Sequence, residues 1–185
     1  MKKLSLIALI FALVLCLVSC KVYDETKDVI SDVKVDETIE DENKTEIVTL
    51  TLYFPDNDVL YLYPEKREVE INKGEHLAPV VLEELFKGPV SENLSAGLDG
   101  EDLVLSVSVG EGICTVDFHD DFTLLNSGGT ARETFAIGSI VNSLCELDGI
   151  EQVKINIGGI TNAEFGGHFT LEAPFSFQKE LIAKQ

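Results

Sequence analysis

The segment LVLSVSVGEGICTVDF, residues 103–118, constrains the fold of this 185-residue chain more than any other segment. Apolar and polar residues alternate on both sides of Gly110-Glu111-Gly112, which supplies a tight turn. Alternation with period two predicts a β-hairpin with one covered face and one solvated face. The covered face is predicted to carry Leu103, Leu105, Val107, Val109, Cys114, Val116 and Phe118.

A first helix is predicted by the segment HLAPVVLEELFKGP, in which apolar residues recur every four positions from Leu77. Pro79 is tolerated only in the first turn of a helix, so this helix should begin near Glu75 or later. Gly88-Pro89 is a stop signal, which places the end of the helix just before it.

A second helix is predicted after the glycine-rich loop that contains Gly128 and Gly129. Thr130 and Glu133 have the spacing of a capping box. Asp148-Gly149 marks the end of this helix. Its buried stripe is predicted to consist of Ile137, Ile140, Val141, Leu144 and Cys145.

The remaining strands lie on either side of these motifs. Alternating residues from Val48 to Phe54 predict one strand, and Pro55–Asp58 have turn chemistry. Leu60 and Leu62 begin a short returning strand, so that the first unit is a strand with an inserted hairpin. A separate strand after residues 64–67 contains Val69 and Ile71, and a last strand spans residues 153–157.

These elements form two βαβ-like halves, each with a helix that returns to antiparallel strands. They predict an α+β fold, a two-layer sandwich of βαββαβ-like order with an extra N-terminal hairpin. The sheet is expected to be mixed or antiparallel, with the two helices packed on one face.

The order of these motifs resembles the GerMN domain, a family first met in sporulation and germination lipoproteins. The matching pieces are VTLTLYFPD, LAPVVLEELFKGP, LSVSVGEGICTVDF, the glycine pair before the second helix, SIVNSLCELDGIEQVKINIGG and FGGHFTLEAPF, over about residues 47–177. The resemblance implies a ring-building-motif-like module that packs side by side in envelope assemblies, and it implies no catalytic residue. Some family members carry two such domains in tandem, whereas one is recognisable here. Cys114 and Cys145 stand where plain apolar residues are expected.

Residues 1–19 are interpreted as a lipoprotein signal peptide. Lys2 and Lys3 precede an apolar run from Leu4 to Val18, and this run is shorter than the roughly 20 residues that a membrane-spanning helix needs. The end of the run, Leu17-Val18-Ser19-Cys20, resembles the bacterial lipobox, in which the cysteine thiol receives a diacylglycerol and becomes the new N-terminus. Cys20 is therefore the predicted lipid-attachment residue. A secretory signal that happens to end in cysteine and an uncleaved short anchor remain as alternatives.

The chain is strongly acidic, with a formal net charge of -19 at pH 7. Residues 20–46 are predicted to be the lipid-bearing cysteine and an acidic, extended tether, and part of this tether could form a short helix. Residues 47–185 form the predicted domain, with 23 acidic and 8 basic residues. This balance argues against nucleic-acid binding and against direct adhesion to anionic lipid. A solvated acidic surface is the simplest interpretation, and basic partners or cations are the alternative.

Two sets of residues could carry chemistry near the strands. Cys114 and Cys145 are open to a disulfide, which an export compartment permits, or to two buried free thiols. His119-Asp120-Asp121 could supply a base or a ligand, but the same run is typical of a solvated strand-to-loop junction.

Acidic and glycine-rich loops are the other candidates. Asp56-Asn57-Asp58 and residues 99–102 could bind calcium, but neither has the 12-residue ligand pattern with its closing Glu, and turn chemistry explains both. Gly128-Gly129 could cradle an anion or simply open the helix. Gly166-Gly167-His168 is expected to provide positive φ, with His168 bonding to the backbone. No metal, cofactor or small-molecule motif is present.

The sequence therefore predicts a lipid-anchored protein on the extracytoplasmic face of the cell membrane, with a non-catalytic domain for interaction or assembly. Its expected partners are the membrane, through the lipid, and envelope proteins, with self-association also open. The alternative is a peptidoglycan-related enzyme or accessory factor with a polar pocket around His119 or His168. An unpaired edge strand would favour assembly, and a pocket with perturbed titratable groups would favour the enzyme.

Replacement of Cys20 by alanine tests the anchor. We expect Cys20→Ala protein to appear in the soluble fraction or as the uncleaved precursor, because no thiol is left to accept the lipid. Cell fractionation and intact-mass spectrometry of the wild-type and variant proteins measure this. An unacylated Cys20 in wild-type protein from its host would contradict the prediction.

Overall fold

The computed structural model describes residues 44–167 and 169–184, and its α+β architecture confirms the predicted fold class. The signal peptide, Cys20, nearly all of the tether and His168 lie outside the described residues. The strands are β1 Thr45–Pro55, β2 Leu62–Asn72, β3 Val104–Gly110, β4 Ile113–Phe118, β5 Gln152–Ile157, β6 Glu164–Phe165, β7 Phe169–Thr170 and β8 Phe175–Ser176. The helices are α1 Leu77–Phe86, α2 Asp121–Asn126 and α3 Thr130–Cys145, with a 3-10 turn at Lys179–Leu181.

The four-stranded sheet has the order β3-β4-β5-β8, and it is mixed. β4 pairs with β5 in parallel, with Val116 opposite Ile155, whereas β3 and β8 are antiparallel to their neighbours. The expectation that the second helix returns to an antiparallel strand is therefore wrong. α2 and α3 form a crossover between β4 and β5, and a crossover of this kind joins parallel strands.

β1 and β2 form one long antiparallel hairpin, and the predicted break at residues 64–67 is wrong. β2 begins at Leu62 and continues through Pro64, which lies opposite Tyr53, and Arg67. A proline is tolerated here because β2 lies at an edge, where an outward N–H is not needed for the ladder. Leu60, predicted to start the returning strand, is an exposed residue of the turn.

α1 has the predicted limits. Pro79 is its third residue, in the first turn, where the backbone N–H has no partner within the helix. Gly88 follows the helix with φ +77°, and its N–H donates to the Leu85 carbonyl. Only glycine adopts this conformation without strain, so Gly88 ends the helix as predicted.

α3 is enclosed on nearly all sides. The predicted stripe is buried, except that Cys145 is only partly covered. The opposite face is buried as well, because β1 and the segment after β8 cover it. Ser143 Oγ accepts a hydrogen bond from the Tyr53 N–H at 2.8 Å, and Asn142 Oδ1 accepts one from the Gln178 N–H at 2.7 Å.

The start of α3 differs from the predicted capping box. The N-cap is Gly129, with φ +110°, so Thr130 is the first helical residue instead of the cap. Glu133 is buried, and its Oε1 accepts hydrogen bonds from the N–H groups of Gly128 at 3.4 Å and Gly129 at 3.3 Å. The carboxylate therefore caps the loop without help from a threonine hydroxyl.

A largely buried ion cluster joins β2 to the end of α1. Arg67, whose side chain is 12% exposed, donates to Glu65 at 2.5 Å, to Glu84 at 2.9 Å and to the Gly88 carbonyl at 2.9 Å. Burial by itself raises the pKa of Glu84, but hydrogen bonds from Lys87 and Arg67 outweigh it and lower that pKa. The pKa of Glu65 is also lowered, since hydrogen bonds from the Ser91 N–H, Arg67 and the Val90 N–H outweigh the effect of burial.

We expect Arg67→Met to destabilise the domain by about 3–5 kcal/mol at pH 7, because it removes the cation that pairs with Glu65 and leaves Glu84 with Lys87 alone. Lys66→Met, at the exposed neighbouring position, is the control and should change stability by less than about 0.5 kcal/mol. Urea unfolding of full-length protein followed by circular dichroism measures both values.

The difference in free energy of unfolding between the wild-type protein and Arg67→Met should become smaller in acid. Carboxylates with lowered pKa stabilise the folded state above their ordinary pKa of 4.5, and this stabilisation is lost as the pH falls through the lowered values. A difference that stays constant from pH 7 to pH 3 would show that the ion cluster is not its source.

Candidate docking site at a free sheet edge

β3 is an edge strand that lacks the usual protection. Within the part of the chain that the structure describes, no strand pairs with its outer side. Its sequence, VLSVSVG, contains neither a charged residue nor a proline. By contrast, β8 at the other edge is only two residues long, and β2 carries Pro64 and several charges. Natural sheets use short strands, charges and prolines to prevent edge-to-edge pairing, so β3 is the edge of the four-stranded sheet that remains open to another strand.

The register of the β3–β4 hairpin shows which backbone groups face outward. Gly110 borders the two-residue turn, and in such a hairpin the bordering pair exchanges both of its hydrogen bonds. Pairs then alternate along the ladder, so Ser108 and Ser106 also bond to β4. Val109 and Val107 lie between them, and their N–H and C=O groups point away from β4 toward the free edge.

A β-bulge changes the predicted covered face of β3. The register shifts between Val104 and Ser106, so that Leu105 is the extra residue and is 53% exposed instead of covered. Val104 takes its place against the core. Val109 does lie on the helix side, opposite Cys114, but it is 54% exposed because it lies at the end of the strand. The predictions for Leu105 and Val109 as covered residues are therefore wrong.

The rest of the predicted face is confirmed. Leu103 is buried, and Val107 is partly buried against the core. Cys114, Val116 and Phe118 on β4 are fully buried. The solvated face carries Ser106 and Ser108, as predicted.

A groove runs between α1 and β3 on the helix side of the sheet. One part, of about 530 Å³, is lined by Phe86, Leu103 and Val104 together with residues of the preceding loop. A second part, of about 510 Å³, is lined by apolar residues that include Leu77, Val107, Val109, Leu147 and Ile150. Pro79 lines both parts, so they adjoin and together follow β3. A strand added to β3 would place every second side chain in this groove.

The lining residues of the groove carry more acid than base. They include the exposed carboxylates of Glu75, Glu83, Glu101, Asp102 and Asp148. The lysine of the lining, Lys87, is itself paired with Glu84 at 2.6 Å. The groove thus combines an apolar floor with a negatively charged rim.

His119 does not line this groove. Its Nδ1 accepts a hydrogen bond from the Asp121 N–H at 3.2 Å and lies 3.4 Å from Asp121 Oδ2, on the same exposed turn. Asp120 caps α2, a short helix that the sequence analysis did not predict. In residues 44–167 and 169–184, no group of three or more His, Cys, Asp or Glu residues is placed to hold a metal ion.

The two acidic loops use their polar groups within the fold. Asp56 Oδ1 accepts hydrogen bonds from the Leu60 N–H at 2.7 Å and the Tyr61 N–H at 3.3 Å, which closes the β1–β2 turn. The Asp99 carboxylate pairs with Arg132. The Asp99 backbone N–H donates to the buried side chain of Asn126, and the Asp99 carbonyl accepts a hydrogen bond from it. Turn chemistry therefore accounts for both loops.

The glycine-rich loops meet at Glu133. Since the N–H groups of Gly128 and Gly129 already bond to its carboxylate, an anion of the protein itself occupies that loop. Gly166 and Gly167 have φ of +61° and +78°, as predicted for residues that provide positive φ. A Cβ at Gly166 would lie 2.0 Å from Glu133 Cδ, so this position admits only glycine for a second, steric reason.

Cys114 and Cys145 are free thiols in the structure, without a disulfide between them. Burial, with a smaller contribution from Cys145, raises the pKa of Cys114 to about 11. Burial and the neighbouring Glu146 also raise the pKa of Cys145. Both thiols are therefore protonated and poorly nucleophilic at neutral pH. A disulfide between them stays a prediction.

A family model described as sporulation and spore germination, named Germane, matches residues 51–163. The chain belongs to this family. None of the curated proteins compared with it matches. The predicted resemblance to GerMN domains is confirmed.

Three solved structures show the same fold. The first GerMN domain of the sporulation protein GerM from Bacillus subtilis is 26% identical, with a TM-score of 0.50, and the match covers 64% of this chain and 88% of that one. The tandem GerMN domains of the same protein are 24% identical, with a TM-score of 0.52, 65% of this chain and 42% of that chain being covered. A candidate lipoprotein from Clostridium perfringens is 19% identical, with a TM-score of 0.50, over 82% of this chain and 94% of that one.

The chain spans less than half of the tandem GerM structure. The tandem GerM structure and the Clostridium perfringens structure, at 24% and 19% identity, show only that the fold is shared. None of the helices in the described ranges is long and apolar enough to cross a membrane.

The sequence analysis identified β3 but not its position at the edge. No local signal marked β3 as an edge, because the absence of charge and proline from LSVSV is typical of an interior strand. The contribution of Pro79, Phe86 and Leu147 to the groove was missed, because α1 and the loop after α3, which carry these residues, lie far apart in the sequence.

Amide hydrogen exchange tests the free edge. We expect the N–H groups of Val107 and Val109 to exchange quickly and those of Ser106 and Ser108 to be protected, because only the latter bond to β4. NMR of full-length, isotope-labelled protein at low concentration measures this. Equal protection at all four residues would mean that the outer side of β3 is already paired.

Proposed function

We propose that this protein is a non-catalytic, membrane-held docking module that binds another envelope protein through the free edge of β3. The observation that carries the proposal is the uncharged, unpaired strand β3 beside an apolar groove. Strand addition at such an edge uses backbone hydrogen bonds for affinity and an adjoining groove for specificity. The membership of the Germane family supports a role in sporulation or spore germination.

The anchor is the lipid that Cys20 is predicted to carry on the extracytoplasmic face of the membrane. Residues 21–46 then connect the lipid to the domain from residue 47 onward. With the flexibility that its composition predicts, a tether of this length would have a root-mean-square span of roughly 25–30 Å. The domain can therefore search for a partner close to the membrane while the lipid retains it there.

The shape of the groove supports binding and not catalysis. Its floor is made of apolar side chains, and its carboxylates lie on the exposed rim, where water surrounds them. General acid–base catalysis needs a titratable group that is positioned against the reacting atom. The candidate base His119 lies outside the groove on an exposed turn, and His76, the histidine of the lining, is exposed to solvent.

Site-specific crosslinking in the host tests this proposal. A photo-crosslinking amino acid at position 109 of the full-length, lipidated protein should form an adduct with one partner protein. The same amino acid at position 90 is the matched control, because Val90 is also apolar and 80% exposed but does not line the groove.

A proline at position 107 tests whether the adduct depends on strand pairing at β3. Val107→Pro removes an outward N–H and leaves the bonds to β4 in place, so it should abolish the adduct at position 109. Because Val107 also packs against the core, circular dichroism of the purified variant must show that it still folds. Equal adducts from positions 90 and 109, an adduct that survives Val107→Pro, or turnover of a cell-wall substrate by the purified protein would each contradict the proposal.

A further inference from the structure

We propose that the groove binds one extended segment of a partner protein in which apolar residues alternate and Lys or Arg residues flank them, added to the sheet as a new strand outside β3. This inference rests on the proposed docking function and adds the chemistry of the partner. It is argued from backbone geometry, from the apolar floor and from charge.

The backbone geometry selects an extended segment. The outward N–H and C=O groups of Val107 and Val109 are spaced as in a strand, and another strand satisfies them best. The bulge at Leu105 interrupts the regular part of the edge, so pairing is strongest between residues 106 and 110. A segment of about five to seven residues would cover β3 at roughly 3.3 Å per residue.

The floor of the groove selects alternate apolar side chains. In an added strand every second side chain points to the helix side, toward α1. There it would meet Phe86 and Leu103 in one part of the groove and Leu77 and Ile150 in the other. Burying apolar surface against these residues stabilises the complex. The side chains in between remain on the solvated face, beside Ser106 and Ser108.

The rim selects positive charge at the ends of the segment. Glu83, Glu101 and Asp102 lie at one end of the groove, and Glu75 and Asp148 lie at the other. Lys87 is engaged by Glu84, and the hydrogen bond that its ammonium donates to that carboxylate raises the pKa of the lysine. Carboxylates at both ends attract Lys or Arg residues that flank the apolar core of the bound segment.

The same charges disfavour two other occupants of the groove, namely a second copy of this chain and the chain's own tether. A second copy pairing edge to edge would bring a second acidic rim against the first, because a two-fold interface joins identical patches. β3 carries no basic residue that could offset this repulsion. The tether is also acidic, with 10 acidic residues and 4 lysines in residues 21–46.

Two synthetic peptides test the inference against full-length protein in detergent. One has the core Val-Thr-Val-Thr-Val with two lysines at each end, and the other has the same core with two glutamates at each end. We expect the lysine peptide to bind roughly tenfold more tightly at low salt, and this advantage to shrink at 0.5 M salt. Fluorescence anisotropy measures the affinities, and bound lysine peptide should slow amide exchange at Val107 and Val109.

Charge-neutral variants locate the effect. Glu83→Gln combined with Glu101→Gln should weaken the lysine peptide several-fold and leave the melting temperature unchanged. Glu172→Gln combined with Glu180→Gln is the matched control, because these exposed carboxylates lie outside the groove. Only the first pair should alter binding.

Three results would overturn the inference. They are equal or absent binding of the two peptides, binding without protection of Val107 and Val109, and a dimer of the full-length chain that Val109→Lys dissociates in sedimentation experiments. Equal or absent binding of the two peptides, together with a crosslink at position 109, would refute the predicted Lys or Arg flanks of the partner and leave the docking function unaffected. Loss of that crosslink would refute the docking function itself.

Discussion

The burial of α3 on both of its faces is the constraint on which the rest of the structure depends. One face packs toward β5 in the common core, and the other is covered by β1 and the segment after β8. The second face contains Asn142 and Ser143, whose burial is tolerable because hydrogen bonds to backbone groups replace water. One helix thus joins the β1–β2 hairpin and the four-stranded sheet in a single core.

This arrangement explains why β3 remains open. α3 occupies the centre of the sheet, and α1, held to the hairpin by the Arg67 ion cluster, lies nearer to β3. Because α1 does not close over β3 completely, a groove remains between them. The hairpin packs against the helices and does not extend the sheet, so no strand of the described residues covers the outer side of β3.

Much of the fold could be predicted because its signals are local. The alternation around the 110–112 turn, the position of Pro79 and the stop at Gly88 each act within a few residues. The failures have non-local causes. Pro64 lies within β2 because β2 is an edge strand, and α2 was missed because its buried residue Phe122 is held by ring stacking on Phe118 at 4.2 Å and Phe165 at 5.4 Å.

The sequence by itself determined the two longer helices, most of the main strands, the family resemblance, the acidic character and the expectation of a lipid on Cys20. Periodicity, short motifs and charge are properties of neighbouring residues. Tertiary structure decided the parallel pairing of β4 with β5, the bulge that exposes Leu105, the cap at Glu133 and the place of β3 at the edge. The physical reason is that strand order and burial depend on residues far apart in the chain, which compete for the same core.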